Sequence, residues 1–316
     1  MAIQQRDDES FRELVEPHQR AVRLHCYRML GSLQDAEDVT QETLLRAWRS
    51  LDRFEGRASM RAWLYRIATN ACLDEIDRRS RRILPFMQGS PLAAFTPGPP
   101  IPGETPWLDP VPDAWLDVAD AAPGPEARYE AKETIELAFI AALQQLPGRQ
   151  RAALLLCDVL GWSAPEVAEM FELSVSATHS VLQRARAGIG RSPGSQPQRI
   201  DPAAQRALVD RYVGAWVHAD VDALVALLKD DARLSMPPLP EWYVGIPAIA
   251  DFFRWATGPD GPGPYRLVAR RASGAPALEI YAREQPFVLQ VLDVDADRIS
   301  GITSFMNPAL FGFFRD

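Results

Sequence analysis

The sequence predicts a multidomain chain in which two all-α domains are followed by an α+β domain. Three observations carry that expectation. Apolar side chains recur at helical spacing over residues 8–84 and again over 127–190. The stretch between them holds eleven prolines from Pro85 to Pro125 and no sustained period. Beyond a second break, RSPGSQPQ at residues 191–198, two helical stretches give way to alternating, period-two segments. The expected divisions are therefore 1–84, a linker over 85–126, 127–191, and 199–316. With 316 residues, the chain is long enough to bury a separate core in each folded part.

Composition narrows the class. The start, MAIQQRDDESFREL, is charged, and no run approaches the roughly 18 apolar residues that cross a bilayer, which points to a cytoplasmic protein without membrane association. Cys26, Cys72 and Cys157 are scattered, with neither a C-x-x-C pair nor a histidine cluster, so neither a metal site nor a disulfide framework is expected. Nothing implies a cofactor. The net charge of −8 hides strong segregation: seven arginines face three acids between Gly56 and Arg82, whereas residues 83–127 hold six acids and no basic side chain. A polyanion senses the local patch, so the overall sign excludes nothing.

In the first domain, Asp35-Ala-Glu-Asp38 sets acids in the first turn of a helix, where the macrodipole favours them. Leu44, Leu45 and Trp48 are its expected apolar stripe, and Asp38, Gln41 and Glu42 fall on other faces. After a loop over 52–59 comes a second helix, MRAWLYRIATNACLDEIDRRSRR. Its spacing turns Trp63, Ile67, Ala71 and Ile76 to a core, and leaves Arg61, Arg66, Asn70 and the cluster Arg78, Arg79, Arg81 and Arg82 outward. By spacing alone, a merely solvated charged face is the plainer reading.

The string DAEDVTQETLLRAW…FEGRASMRAWLYRIATNACLDEIDRRSRR, however, resembles region 2 of the extracytoplasmic-function sigma factors over some 75 residues. The resemblance implies that the first helix docks on the coiled coil of the RNA polymerase β′ subunit, through Asp35, Asp38, Gln41 and Glu42. It also implies that the loop and second helix melt and read the promoter −10 element. Capture of a single strand needs stacking platforms, a pocket for an extruded base and cations along the phosphates. Phe54, Ser59, Arg61, Arg66, Asn70, Arg78, Arg81 and Arg82 supply groups of those kinds.

The second helical domain has the rhythm of a helix-turn-helix. Ser163 and Glu166 form a capping box; Val167, Ala168 and Phe171 are the core face; Glu172-Leu173-Ser174 is the turn. The helix from about 175 to 187 then exposes Ser176, His179, Ser180, Gln183, Arg184 and Arg186. A recognition helix enters the major groove by its N-terminal turns, where Ser, His and Gln meet base edges and Arg meets phosphate or guanine. On spacing alone, a helical hairpin of no special purpose stands beside that reading. The spacing is similar to region 4 of the same family, which implies −35 recognition and contact with the polymerase β flap. The family often has a basic residue where Val181 stands, which implies an altered contact set. The linker would reach roughly 120 Å at full extension. Its acidic, proline-rich character suits either the basic RNA-exit path that the family's linker occupies or a solvated tether, and Trp107 and Trp115 are out of keeping with a mere tether.

In the C-terminal part, Leu208, Tyr212, Ala215 and Trp216 form one helix face, VDALVALLKDD follows, and strands are expected at ARLSMP, YRLVARRAS, ALEIYARE, FVLQVLDV and RISGITSF. Helices followed by a strand meander, with the string SMPPLPEWYVGIPAIADFF, resemble the SnoaL-like, NTF2-like cone, and the chain resembles the sigma-G-like extended group of the family. Trp216, Met236, Trp242, Tyr243 and Phe252 are candidates to line a pocket for an unknown small ligand, though in a small cone they pack equally well as core. His218, Asp220 and Asp222 sit at a helix end, where capping accounts for both acids, and no nucleophile–base arrangement stands out. The expected protein is thus not an enzyme but a promoter-specificity factor that binds core RNA polymerase and promoter DNA and is regulated by its own C-terminal domain. An enzyme or small-molecule sensor of the SnoaL type, targeted to promoters by the helical domains, is the alternative.

Overall fold

The computed structural model describes residues 2–54, 59–97, 106–116, 135–189 and 201–315. The chain forms two compact units, Met1–Arg82 with Asp113–Ser192, and Ile83–Pro112 with Pro193–Asp316.

The first unit is helical. Helices α1 (Ala2–Leu30), α2 (Leu33–Ser50) and α3 (Met60–Ile76) pack around Val22, Cys26, Tyr27, Leu33, Leu64 and Cys72, all fully buried. Gly31 takes φ 71° to reverse the chain after α1, and the Ser32 hydroxyl then caps α2 by accepting from the Asp35 amide at 3.3 Å. The inward face of α3 is Leu64, Ala68, Ala71 and Cys72; Trp63, Ile67 and Ile76 are only half-buried, and Leu45 on α2 is 43 % exposed. The helix α3 stops at Ile76, short of the arginine cluster it was expected to include. Crowded like charges weaken a helix end, and here Arg79 and Arg82 turn back to one buried carboxylate. Arg82 Nη2 donates to Asp35 Oδ2 at 2.6 Å, and Arg79 bonds the other oxygen.

Helices α4 (Leu137–Gln145), α5 (Gly148–Leu154), α6 (Ala164–Phe171) and α7 (Val175–Ile189) complete the unit, with a π turn over Leu155–Val159. The N-terminus of α5 lies so close to α3 that a Cβ on Gly148 would stand 3.0 Å from Leu73. Arg151, 2 % exposed, donates to Gln144 Oε1 at 2.6 Å, to the Gln144 and Leu146 carbonyls at 3.1 and 3.2 Å, and to the Met29 carbonyl of α1.

The second unit opens with α8 (Pro202–Val217) and α9 (Val221–Ala226) and continues as β1 (Leu228–Ser235), β2 (Trp242–Val244), α10 (Ile246–Thr257), β3 (Tyr265–Ala272), β4 (Ala275–Ala282), β5 (Gln285–Asp295) and β6 (Arg298–Phe305). The six strands form one sheet in the order β2-β1-β6-β5-β4-β3, parallel only between β1 and β6. Leu208, Tyr212 and Trp216 of α8 and Ile249, Phe252 and Phe253 of α10 pack with Leu234, Ile280, Leu292 and Ile302 of the sheet. The expected strands are found within a few residues of their bounds, and the short β2 was missed. The aromatic C-terminus folds back as a 3₁₀ segment, Pro308–Phe314, with Phe311 5.3 Å from Tyr281. Tyr281 neighbours the core-facing Ile280, so strand alternation puts this tail on the opposite face of the sheet.

The described parts of the proline-rich segment are not a free tether. Leu84, Leu108 and Val111 are fully buried. The Leu92 amide donates to the Trp242 carbonyl at 2.9 Å along β2, while Val111 exchanges hydrogen bonds with Ser273 just beyond β3. Both sheet edges are therefore met by this segment. Its lack of a period follows from pairing through backbone at isolated points, which leaves no repeat in the side chains.

Two predictions follow from the helical unit. Asp35→Ala removes the shared acceptor of two guanidiniums, one of them half-exposed, and should cost about 2 kcal/mol in urea unfolding; Asp38→Ala, on the exposed side of α2, should cost about 0.5 kcal/mol or less. Equal midpoints for the two variants would contradict the clamp. His25, fully buried, shares 2.9 Å with Thr69 Oγ1, and burial followed by the charge of Arg28 lowers its pKa from 6.5 to about 3. Its folded pKa lies below its unfolded one, so its contribution is intact above pH 6.5 and is lost as pH falls toward 3. Over that window this one group should add a slope of up to about 1.4 kcal/mol per pH unit. His25→Gln should unfold with a shallower acid dependence, read from urea midpoints at several pH values.

Candidate nucleic-acid and polymerase-binding surfaces

On α2, Asp38 and Gln41 are exposed and Glu42 half-buried, and Leu45 lies one turn beyond Gln41 on the same side. Gln34 Nε2 donates to Asp38 Oδ1 at 3.0 Å, and Glu42 pairs with Arg46 at 2.7 Å. The face combines acids, an amide and an uncovered leucine, a composition suited to a protein surface. Asp35 does not belong to it. At 6 % exposure, with Arg79 and Arg82 bound, its carboxylate is spent inside the unit, and Arg82 is correspondingly drawn away from solvent.

The outward side of α3 presents the other sequence-predicted set. Ser59 caps the helix by accepting from the Ala62 amide at 3.2 Å, which fixes where the preceding loop enters. Phe54 stacks against Trp63 at 4.9 Å, an aromatic platform beside that entry. The guanidinium of Arg61 lies over the Tyr65 ring at 5.6 Å, and Asn70 is exposed one turn beyond Arg66. Arg78 and Arg81 remain exposed beyond the helix end. Arg66 is engaged: its Nη2 donates to Glu169 Oε1 of α6 at 3.2 Å.

The helix-turn-helix is built as expected. Ser163 accepts from the Glu166 amide, and Glu166 Oε2 accepts from the Ser163 hydroxyl at 2.6 Å and the Ser163 amide at 2.7 Å, bonds that hold the Glu166 carboxyl below its ordinary range. Glu172 ends α6 in the left-handed region, φ 56°, and Ser174 caps α7 by accepting from the Ala177 amide at 3.1 Å. Thr178, Leu182 and Ala185 bury one stripe of α7, leaving Ser176, His179, Ser180, Gln183, Arg184 and Arg186 all exposed. Arg186 is held by Asp158 through two bonds of 2.7 and 2.9 Å, which stiffens the helix flank, and the Ser180 hydroxyl donates to the Ser176 carbonyl at 3.1 Å.

In the α+β unit a cavity of about 320 Å³ is lined in part by Trp216, Met236, Tyr243 and Phe252. Trp242 is not among its walls; the ring turns to donate Nε1–H to the Gln88 carbonyl at 3.2 Å. Leu92, Phe95, Tyr265, Gln290 and Ser304 also line it and were not foreseen. Strand alternation places Gln290 and Ser304 on the core face, but nothing in the pattern marks a wall supplied by the proline-rich segment. His218 is exposed, with Nδ1 2.7 Å from the Gly214 carbonyl, and Asp220 caps α9 by accepting from the Ala223 amide at 2.9 Å. Both have local roles. Among the described residues no helix is long and apolar enough to cross a membrane, and no group of three or more His, Cys, Asp or Glu is placed to hold a metal ion.

Comparison with known proteins agrees with this arrangement. Residues 14–82 match the model of Sigma-70 region 2, and residues 136–188 that of Sigma-70 region 4. The chain is 43 % identical over 308 residues to the ECF RNA polymerase sigma factor SigG of Mycobacterium tuberculosis, covering 95 % of this chain and 82 % of that protein. It is 30 % identical to SigJ of the same organism over 66 % of this chain and 59 % of SigJ. The crystal structure of the Mycobacterium tuberculosis extracytoplasmic function sigma factor SigJ superposes with a TM-score of 0.57 at 22 % identity, over 93 % of this chain and 97 % of that one, so the fold is shared across both units. The chain belongs to the ECF RNA polymerase sigma factors.

Proposed function

We propose that this protein directs core RNA polymerase to specific promoters, acts in the cytoplasm, has no catalytic activity of its own, and is held in check by its α+β domain. The observation that carries the promoter-directing reading is the presence, on one chain of this family, of two separate outward sets. These are the platform and cations around α3 and the polar N-terminal turns of α7. The first suits an unstacked single strand of the −10 element; the second suits base edges of the −35 element in the major groove. Asp38, Gln41 and Glu42 with Leu45 offer the surface for the β′ coiled coil, and the region-4 helices offer one for the β flap. Of the residues expected at the −10 element, Phe54 and Ser59 stand at the loop entry, Arg61 lies beside Tyr65, and Asn70, Arg78 and Arg81 are exposed. Arg66 becomes available only when its pair with Glu169 parts, and Arg82 serves Asp35.

That pair also supports the regulatory reading. The two elements lie roughly 25 base pairs apart, about 80 Å of duplex at 3.4 Å per step. Arg66 and Glu169 belong to the two readers and meet at 3.2 Å, while Tyr65 and Trp162 stand 6.3 Å apart. Readers in such contact cannot occupy both elements at once, so promoter use requires them to separate. Much of the linker that would allow separation is fastened to the α+β unit, where Leu92 bonds Trp242 and Val111 bonds Ser273.

Run-off transcription tests both statements. Full-length protein with core polymerase should initiate at a promoter carrying both elements, and a chain ending at Arg191 should initiate more at equal concentration, because the linker is freed. Loss of transcription by a truncated chain that stays folded would make the α+β domain an activator instead. For the polymerase surface, Asp38→Ala combined with Gln41→Ala should leave the unfolding midpoint within about 0.5 kcal/mol of the parent and lower affinity for core polymerase at least about tenfold. Unchanged affinity would remove that surface.

A further inference from the structure

The cavity of the α+β unit has apolar walls, a polar floor and one wall supplied by the segment that joins the two promoter readers. Its volume, about 320 Å³, sits at the lower end of the range of small-molecule pockets, about 300–1,000 Å³. On the floor, Tyr212 Oη donates to Gln290 Oε1 at 2.8 Å, and Gln290 Nε2 donates to Ser304 Oγ at 3.0 Å. Gln290 and Ser304 are 1 % and 3 % exposed. That chain leaves Gln290 one N–H and one lone pair beyond its two bonds, and leaves Ser304 its hydroxyl proton. Trp216, 5 % exposed and also in the wall, turns its buried Nε1–H toward the Tyr212 oxygen, short of full hydrogen-bond geometry. Buried donors are ordinarily satisfied, because desolvating them without a partner is costly.

The fourth wall is Leu92, Phe95, Thr96 and Pro97. Phe95 meets Tyr243 and Phe252 edge-on at 5.6 and 5.3 Å and leans on Trp255 at 5.3 Å. This aromatic box is completed by the linker and does not exist without it. Glu241 in the lining disfavours an anion there.

We infer that the cavity binds a small uncharged molecule, aromatic or alicyclic, bearing one hydroxyl or carbonyl, and that residues 92–97 are its lid. The ring system lies in the cavity against the cluster of Phe95, Phe252 and Trp255, and the polar group meets the Gln290–Ser304 floor. A molecule seated there adds apolar contact to Phe95 and tightens the linker on the α+β unit, so the ligand stabilises the state with the readers held together. This deepens the regulatory reading and rests on it for its consequence alone; binding itself does not depend on transcription.

The test uses full-length protein and the neutral fluorophore 6-propionyl-2-dimethylaminonaphthalene, an aromatic ketone. A saturable rise in fluorescence with one site per chain is expected, with slower amide hydrogen exchange at residues 92–97, where the Leu92 amide is bonded to Trp242. Phe95→Ala should weaken binding about tenfold, as loss of a ring contacting three others implies. Leu92→Glu should also weaken it several-fold by adding a second carboxylate to the lining. Leu92 is 44 % exposed, so this variant decides the matter if Phe95→Ala does not fold. Absence of saturable binding by folded parent protein overturns the site, and parent-like binding by Leu92→Glu together with a folded Phe95→Ala overturns the lid. If the fluorophore binds but truncation at Arg191 leaves transcription unchanged, the regulatory reading falls and the site stands. If truncation raises transcription but the fluorophore does not bind, the site falls alone.

Discussion

The helical unit depends on a cation placed where water is absent. Burial lowers the pKa of Arg151 only to about 10, so the guanidinium is charged at neutral pH, and it meets that cost with carbonyl and amide oxygens and no carboxylate. Such hydrogen bonds to a charged donor are stronger than neutral ones, and losing them with the cation still buried costs far more than never having made them. Arg151 therefore fixes the turn between α4 and α5 and the seat of both on α1. The close approach of Gly148 to Leu73, and beyond it the helix-turn-helix, are built outward from that seat.

The same arrangement limits how tightly the readers are joined. Most of the Arg151 acceptors, the Gln144 side chain and the Gln144 and Leu146 carbonyls, belong to the region-4 helices and travel with it. The Met29 carbonyl is the acceptor that belongs to region 2. Parting the two regions thus costs this side chain one charge-assisted bond, on the order of 1.5–3 kcal/mol, and leaves its bonds to Gln144 and Leu146 in place. The Arg66–Glu169 pair adds little, because exposed ion pairs are worth about 0–1 kcal/mol.

What could be read in the sequence divides along physical lines. Periodicity gave the core faces of α6, α7 and α8, and the strands β3 to β6, because one side chain in two or in 3.6 is a burial signal. Capping chemistry located Ser163 and Glu166, since that motif is local. Asp35 was misread: an acid in the first turn of a helix looks the same whether it faces a partner or receives Arg79 and Arg82 from residues more than forty positions away. The cavity was half legible. Trp216, Met236, Tyr243 and Phe252 lie on elements with clear patterns, whereas Phe95 sits in an aperiodic stretch and Trp242 is claimed by the Gln88 carbonyl, a long-range partner no local pattern encodes.

The proline-rich segment was the least legible part, and its composition now has a reason. An open sheet exposes unpaired backbone along both edges, here β2 and β3, and such edges recruit other chains unless covered. Proline lacks an amide hydrogen and so cannot continue a ladder, which makes proline-rich chain a covering that pairs at single points and propagates no further strand. Leu92 beside β2 and Val111 beside β3 are such points. Lifting the segment from the α+β unit uncovers both edges and breaks the bonds of Leu92 to Trp242 and of Val111 to Ser273. The segment is consequently held to both sheet edges through backbone at Leu92 and Val111, and its prolines keep either pairing from growing into a further strand.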